Sequence, residues 1–476
     1  MKQKMHAFDI GILGTMDATE IAEQIKKGAI SSKEAVHCAI ERAQALNPTL
    51  NAIVTDCFEK PVVQKEEKDA YFKGVPTFIK DLTHVEGLPT LHGSLGVPAV
   101  PQKKNEKNTQ QVLSTGCVVL GKSSTSEFGL LPAVETLQQG TTLNPIHLNY
   151  STGGSSGGAG ALVASGIVPF AHAADGGGSI RIPAACCGLV GLKPSRGRDM
   201  ESPTSMLPID IVCQGIVSRT VRDSANYYAA AETYYANPQL PKIGWIDRPL
   251  QKRLKIGVFT ETPTQIKSHP EVDDVTLSAG RFCESLGHQV ELISNPFTQE
   301  TKIDFLAYWS FITYMLYRFG KVSYGIGFNN SKLEVFTTQM AKVYPKVMFS
   351  TAKSIKRLKK FTNYYNSLYD QYDVLLSPVL SHPVPEIGYF SPENNFFASI
   401  EKLSQYVNYT TFQNVTGAPA ISLPMGQCKN GLPLGVQLAG KLGDDRQLLE
   451  LAWEIEEKGG LMDWTKIIQA NHCIKS

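Results

Sequence analysis

The most constraining feature of the sequence is a repeated alternation between short apolar runs and stretches whose apolar residues recur at helical spacing. Strand-like runs are centred on residues 118–120, 167–170, 255–259, 289–293, 374–376, 421–423 and 436–438. Helical patterns cover residues 272–286, 303–320 and 351–370, and a closing helix starts at 445. This alternation predicts an α/β protein with a largely parallel or mixed sheet covered by helices.

The 476 residues are expected to form one domain. A chain of this length buries roughly three quarters of its unfolded surface. It contains no internal repeat, low-complexity tract or clear linker. Two helices open the chain, with start signals at Asp17 and Ser31, and Pro48 is predicted to end the second helix.

Charge and cysteine content exclude several classes of protein. The 46 Lys and Arg residues nearly balance 44 Asp and Glu residues, which argues against a nucleic-acid-coating protein. The nine cysteines form no CxxC pair, which fits a reducing compartment and thiols packed as small apolar groups. The longest mostly apolar stretch, 161–174, is too short to span a bilayer, and the start lacks an apolar stretch of signal-peptide length. We therefore expect a cytoplasmic protein that binds no membrane.

Two motif matches are misleading because their sequence context is wrong. Residues 116–123 satisfy the P-loop pattern, but the four intervening residues are Cys, Val, Val and Leu, as in a buried strand. Residues 153–157 satisfy the GxSxG pattern, but a polar loop precedes them instead of the hydrophobic strand that a nucleophile elbow requires. We therefore assign neither function.

Two glycine- and serine-rich segments are better candidates for chemistry. Residues 153–165 read as a turn that enters a helix of small residues, and Gly176, Gly177 and Gly178 precede Ser179 after a predicted strand. Consecutive glycines leave backbone N–H groups uncovered, which is what an oxyanion hole needs. Ser179 is therefore a candidate nucleophile that requires a base.

Lysine is the candidate base, because none of the ten histidines lies in a supporting motif. Lys80 stands in an apolar strand-like run, with Val75, Phe78 and Ile79 before it and Leu82 after it. Lowering a lysine pKa from about 10.4 to 7 or 8 costs about 4 kcal/mol, which burial can supply. From the residues alone, catalytic and structural roles for Lys80 both remain open.

Three segments taken together resemble the amidase signature family. They are GVPTFIKDL at 74–82, GGSSGGAGAL at 153–162 and DGGGSIRIPAACCGLVGLKPSRGR at 175–198, with Ser155 and Ser179 separated by 24 positions. Flanking segments at 121–128 and 414–424 agree. The amino-acid sequence of the third segment is most similar to that of bacterial amidases of the 6-aminohexanoate cyclic dimer hydrolase type.

The resemblance implies the amidase signature fold, a central mixed twisted sheet with helices on both faces. It also implies Ser179 as nucleophile, Lys80 as distal base and Ser155 as a bridging serine after a cis peptide bond. Backbone groups around Gly176, Gly177 and Gly178 would form the oxyanion hole, and no metal or organic cofactor is required. Within one domain, residues 1–70 would be a helical scaffold, 71–220 the signature core and 221–476 a diverged, substrate-shaping region with C-terminal strands and helices.

Substrate contacts are predicted at Thr152, Ser156, Cys187 and Trp309, although Ser156 also fits a turn and Cys187 fits simple packing. Trp309 belongs to an aromatic stripe at 308–324 that fits either core or pocket. Some family members that act on acidic substrates carry an arginine where this chain has Ile182, which disfavours a carboxylate on the acyl group. Asp175 and Arg181 are expected to form a structural ion pair.

Three functions remain open at this point. The first is a stand-alone amidase that hydrolyses a small, uncharged or partly apolar amide. The second is the glutaminase subunit of a glutamyl-tRNA amidotransferase, which needs partner chains. The third, a non-catalytic binding protein, is disfavoured because Lys80, Ser155 and Ser179 are all present. We expect a small-molecule amide as the binding partner and leave a homodimer open.

Overall fold

The computed structural model describes residues 5–64, 69–200, 204–264 and 266–464. The helices are α1 (Ala18–Lys26), α2 (Ser32–Leu50), α3 (Lys107–Ser114), α4 (Gly157–Ala164), α5 (Arg181–Cys187), α6 (Val221–Tyr234), α7 (Pro270–Ser285), α8 (Gln299–Tyr324), α9 (Val335–Leu368), α10 (Phe396–Tyr406), α11 (Thr411–Thr416) and α12 (Asp445–Glu457). The strands are β1 (Ile53–Asp56), β2 (Pro76–Lys80), β3 (Val118–Ser123), β4 (Glu135–Thr136), β5 (Gly140–Thr141), β6 (Phe170–Asp175), β7 (Val190–Lys193), β8 (Cys213–Ser218), β9 (Lys255–Val258), β10 (Gln289–Leu292), β11 (Val374–Pro378), β12 (Ala420–Gln427) and β13 (Pro433–Ala439).

A large mixed sheet flanked by helices forms the centre of the fold, as predicted. Its eight strands follow the order β10-β9-β11-β13-β12-β7-β8-β6. The pairs β10–β9 and β9–β11 are parallel, and the remaining neighbours are antiparallel. Strand β7 is buried along its whole length, as are β6, β8 and β11, which explains why their sequences are not simply alternating.

A small three-stranded sheet, ordered β1-β3-β2, lies beside one edge of the large sheet. Side chains make the junction between β2 and the edge strand β6. The Thr77 hydroxyl donates to the Phe170 carbonyl at 3.0 Å, and the Lys80 N–H donates to His172 Nδ1 at 3.3 Å. The C-terminal end of β2 is therefore fixed against the strand that leads into the glycine turn at 176–178.

Helix α5 packs unusually close to the large sheet because small residues meet there. A Cβ added at Gly435 of β13 would lie 2.5 Å from Ala185 Cβ, and one at Gly191 of β7 would lie 2.7 Å from Ala184 Cβ. Any larger side chain on these strands would push the helix outward. This close packing fixes the start of α5, and with it the segment that carries Ser179.

Two predicted helix boundaries are wrong. Helix α2 continues through Pro48 to Leu50, because Asn51 ends it in a left-handed conformation while the Asn47 side chain accepts the N–H groups of Ala52 and Ile53. Helix α9, predicted from 351, begins at Val335 and passes through Pro345.

The eight cysteines in the described ranges are free thiols, and seven of them are buried, consistent with their predicted use as small apolar groups. Cys473 lies outside the described residues. None of the helices in the described ranges combines the length and apolar character that a membrane crossing requires.

Candidate active site

Lys80 is completely buried at the end of β2. Its ammonium group donates to Ser155 Oγ at 2.7 Å and to the Ala174 carbonyl at 3.3 Å. Burial lowers the pKa of Lys80 to about 7, against the attraction of the Asp175 carboxylate. A substantial fraction of this amine is therefore neutral at physiological pH and able to accept a proton.

Ser155 lies in a tight turn between a loop and α4, and the Gly154–Ser155 peptide bond is cis, as the resemblance implied. Its side chain lies directly behind Gly129, where an added Cβ would be 3.2 Å from Ser155 Oγ. The next residue, Ser156, bonds in both directions with Ala174: its hydroxyl donates to the carbonyl at 3.2 Å and accepts the N–H at 3.3 Å. These bonds hold the turn against β6.

The segment that contains Ser179 is wrapped around the Asp175 carboxylate. Asp175 accepts N–H groups from Gly178 at 2.7 Å, Ile180 at 3.1 Å and Arg181 at 3.4 Å. Burial alone would raise the pKa of Asp175, but the Arg181 charge and the hydrogen bonds from the Arg181 and Asn414 side chains hold it well below its usual range. Asp175 therefore stays ionised and fixes the backbone on both sides of Ser179.

Arg181 is fully buried and forms the predicted ion pair with Asp175, and each of its side-chain N–H groups donates a hydrogen bond. Its Nε and one Nη donate to the two Asp175 oxygens, each at 3.0 Å. The remaining N–H groups donate to the side chains of Asn414 (2.8 Å), Gln413 and Gln437 (each 3.0 Å). Because all five donors are used, Arg181 has none left for a substrate.

The structure changes the predicted set of oxyanion donors. The Gly178 N–H is already donated to Asp175, so Gly178 does not offer the free N–H group that was predicted. Among the described residues, none accepts a hydrogen bond from the N–H groups of Gly176, Gly177 or Ser179. Of the four N–H groups from Gly176 to Ser179, that of Gly178 is therefore the one with an acceptor in the described structure.

Ser179 and Gly177 line a cleft of about 530 Å³ whose wall is mostly apolar. The Ser179 side chain makes no hydrogen bond to any described residue, and no bond joins its hydroxyl to that of Ser155. Phe305 and Trp309 project from α8 towards the glycine turn, where a Cβ at Gly177 would be 3.5 Å from Phe305 and one at Gly176 3.7 Å from Trp309. The remaining lining residues are Gly129, Leu130, Leu131, Pro132, Ile182, Lys302, Leu306, Leu403, Val407 and Thr411.

Of the predicted substrate contacts, Trp309 lies at the wall of this cleft. Thr152, Ser156 and Cys187 are fully buried outside its lining, and the Cys187 thiol points to the Thr152 carbonyl at 3.5 Å. Their role towards a substrate stays a prediction. Within the aromatic stripe, Tyr308 belongs to the core, where its hydroxyl donates to the Ile209 carbonyl.

Sequence reasoning missed Lys302 and Phe305. Together with Leu306 and Trp309 they follow the i, i+3, i+4, i+7 spacing of one helical face. Once Trp309 was predicted to contact the substrate, this spacing could have predicted that Lys302 and Phe305 lie on the same side of the helix. His172 lies beside Lys80, but burial lowers its pKa to about 3, and its ring nitrogens contact the Lys80 N–H and Gln214. Within the described ranges, no three His, Cys, Asp or Glu side chains converge as a metal site.

Comparisons with known proteins agree with this architecture. The sequence model of the Amidase family matches residues 34–449. The chain is 40% identical to the Mycobacterium tuberculosis protein named "Putative amidase AmiC", over 98% of this chain and 99% of that one. It is 31% identical to the 6-aminohexanoate-cyclic-dimer hydrolase of Paenarthrobacter ureafaciens, over 94% and 95% of the two chains. A solved structure of 6-aminohexanoate cyclic dimer hydrolase matches with a TM-score of 0.85 at 28% identity, over 94% and 98%.

The fold and these relatives define an enzyme that hydrolyses amide bonds. The chain belongs to the amidase signature family, as its three segments indicated.

Proposed function

We propose that this amidase cleaves a small amide through an acyl-enzyme on Ser179, with Ser155 and Lys80 as a proton relay. The observation that carries the proposal is the 2.7 Å hydrogen bond between a fully buried lysine and Ser155, beside a cleft that Ser179 lines. A lysine with a pKa near 7 is matched to general base chemistry at neutral pH.

The relay conserves protons at each step. Neutral Lys80 accepts the Ser155 proton while Ser155 accepts the Ser179 proton, and Ser179 Oγ bonds to the amide carbonyl carbon. The carbon–nitrogen bond then breaks as the proton returns through Ser155 to the leaving nitrogen, which departs as a neutral amine. Water attacks the acyl ester by the same route and releases the carboxylic acid.

The N–H groups of Gly176, Gly177 and Ser179 are the proposed oxyanion donors. None of the three has an acceptor among the described residues, and they lie in the segment 176–179, which Asp175 holds through the N–H groups of Gly178 and Ile180. Removing one donor of this kind typically costs about 3 to 4 kcal/mol of transition-state stabilisation. Asp175 and Arg181 therefore act as positioning residues, because neither has a free group directed at the substrate.

The wall of the cleft supports a substrate that is at least partly apolar. Phe305, Trp309, Leu306 and Ile182 contribute apolar side chains to it, and such surfaces favour apolar groups on a ligand. The alternative of a glutaminase subunit is not favoured, since the relatives above 30% identity include a cyclic-dimer hydrolase and proteins named as amidases.

A fluorophosphonate probe tests the proposed nucleophile, because it labels activated serines covalently. We expect the wild type to be labelled, Ser179→Ala to remain unlabelled and Ser155→Ala to be labelled much more slowly. Ser350→Ala, at an exposed serine of α9, is the matched control and should be labelled like the wild type. Undiminished labelling of Ser179→Ala would overturn the assignment.

A further inference from the structure

The cleft contains one cationic side chain, Lys302, that the proposed mechanism does not use. It lies on α8, one helical turn before Phe305 and two turns before Trp309, on the face that lines the cleft. Only 7% of the residue is exposed. The other lining residues carry no charge, so Lys302 is the strongest electrostatic feature of the wall.

The ammonium group of Lys302 is held by neutral acceptors. It donates to the Ser404 carbonyl at 2.8 Å and to Asn408 Oδ1. Among the described residues no carboxylate contacts it, since the nearby Asp304 is paired with Arg357 instead. Two of its three N–H groups are therefore used, and the third has no acceptor among the described residues.

Burying the charged form of Lys302 without a neighbouring anion costs desolvation free energy, and an anionic ligand that bound beside it would offset part of that cost. Burial lowers the pKa of Lys302 to about 7, and no carboxylate opposes the effect. Lys122, by contrast, has an acid as its partner: it contacts Asp81 at 3.1 Å with both side chains fully buried. No carboxylate among the described residues contacts the Lys302 ammonium, although Lys302 lines the cleft.

We propose that Lys302 is a specificity-determining residue that binds a carboxylate of the substrate, at the end remote from the amide to be cleaved. The inference rests on the proposed function, because it assigns the substrate class of the same cleft. The proposal revises the prediction that Ile182 disfavours a substrate with a carboxylate. The arginine that some family members carry at this position is replaced by Ile182, but Lys302 of α8 supplies a positive charge to the cleft instead.

Matched substrate pairs test the proposal on both sides of the amide. For the acyl side, 4-nitroanilides of dicarboxylic half-acids with two to six methylenes are compared with the corresponding methyl ketones. The ketone keeps a carbonyl and loses the charge. For the amine side, N-acetyl ω-amino acids are compared with N-acetyl alkylamines of equal length. Initial rates give kcat and KM for each compound.

We expect the wild type to prefer the carboxylate on one side by about ten- to a hundredfold in kcat/KM, as for one charge-assisted hydrogen bond. Lys302→Met should abolish this preference mainly through KM, with the neutral partner changed by less than about threefold. Lys321→Met is the matched control, because Lys321 is an exposed lysine on the same helix. It should retain the wild-type preference.

The neutral partner separates recognition from folding. If Lys302 only tied α8 to residues 404–408, Lys302→Met would lower the rates for both members of a pair equally, and the proposal would be wrong. It would also be wrong if the wild type hydrolysed both members equally well. If no amide of any kind were hydrolysed, the proposed function itself would fail.

Discussion

Replacing Lys80 by methionine should increase the stability of this enzyme while it removes the activity. Methionine has a similar length, fills the same buried space and cannot carry a charge. In the wild type, Lys80 is fully buried and its ammonium contacts only the Ser155 hydroxyl and the Ala174 carbonyl. The variant therefore relieves the desolvation of a charge and loses a hydrogen bond.

The magnitude follows from the pKa of Lys80, which burial lowers from 10.5 to about 7. At about 1.4 kcal/mol per tenfold change in the protonation equilibrium, this difference corresponds to about 5 kcal/mol. Between pH 7 and 10.5 the unfolded chain binds more protons than the folded one, so wild-type stability rises with pH across that window. Below pH 7 the full penalty applies. The lost hydrogen bond offsets about 1 kcal/mol of the gain.

Urea unfolding of both proteins at a series of pH values, followed by tryptophan fluorescence, measures the difference directly. We expect Lys80→Met to be more stable by about 4 kcal/mol at pH 6, and the advantage to vanish near pH 10. Lys353→Met, at an exposed lysine of α9, should show a small and constant difference. A Lys80→Met difference that is the same at pH 6 and pH 10 would refute the reasoning, because Lys80 would then titrate as an ordinary lysine.

Two further predictions concern the relay and the glycine turn. The kcat/KM of the wild type should rise with pH through about 7, as Lys80 loses its proton and becomes a base; a pH–rate profile that is flat from pH 5 to 8 would contradict this. Gly178→Ala should lower thermal stability and activity strongly, because Gly178 has a φ of +129° and its added Cβ would lie 2.5 Å from Thr410 Oγ1. Gly177→Ala, with Phe305 at an ordinary 3.5 Å, should keep its melting temperature, which differential scanning fluorimetry compares.

The order of elements could be predicted from sequence because apolar runs and helical spacing are local properties. The strands after residue 250 lie where the runs predicted them. Strand β6 is the instructive failure: the predicted run at 167–170 meets it only at Phe170, because its later part contains His172 and Asp175. These polar side chains are buried against Gln214 and Arg181, partners that a local pattern does not reveal.

In the candidate site, too, features of the local sequence could be predicted, whereas hydrogen-bond partners that are distant in sequence could not. Glycine content and the apolar run around Lys80 indicated which segments form the candidate site. The three glycines at 176–178 look equivalent in sequence, yet Asp175 takes the N–H of Gly178 and leaves the other two free. The partners of Arg181 lie as far as 256 positions away, at Gln437, so its saturation could not be predicted without the fold.

Strand alternation explains why one of two similar lysines is suited to act as a base. Lys80 and Lys122 each lie in an apolar strand, both are fully buried, and β2 and β3 run side by side with Lys80 opposite Ser123. Asp81 follows Lys80 directly, so the two side chains point to opposite faces, and the Asp81 carboxylate meets Lys122 at 3.1 Å. Burial lowers the pKa of both lysines, but the Asp81 contact opposes that shift at Lys122, whereas the ammonium of Lys80 contacts only neutral groups. A shift of one residue would exchange the faces of Lys80 and Asp81, so the register of this strand end keeps the acid beside Lys122 and the Lys80 amine beside Ser155.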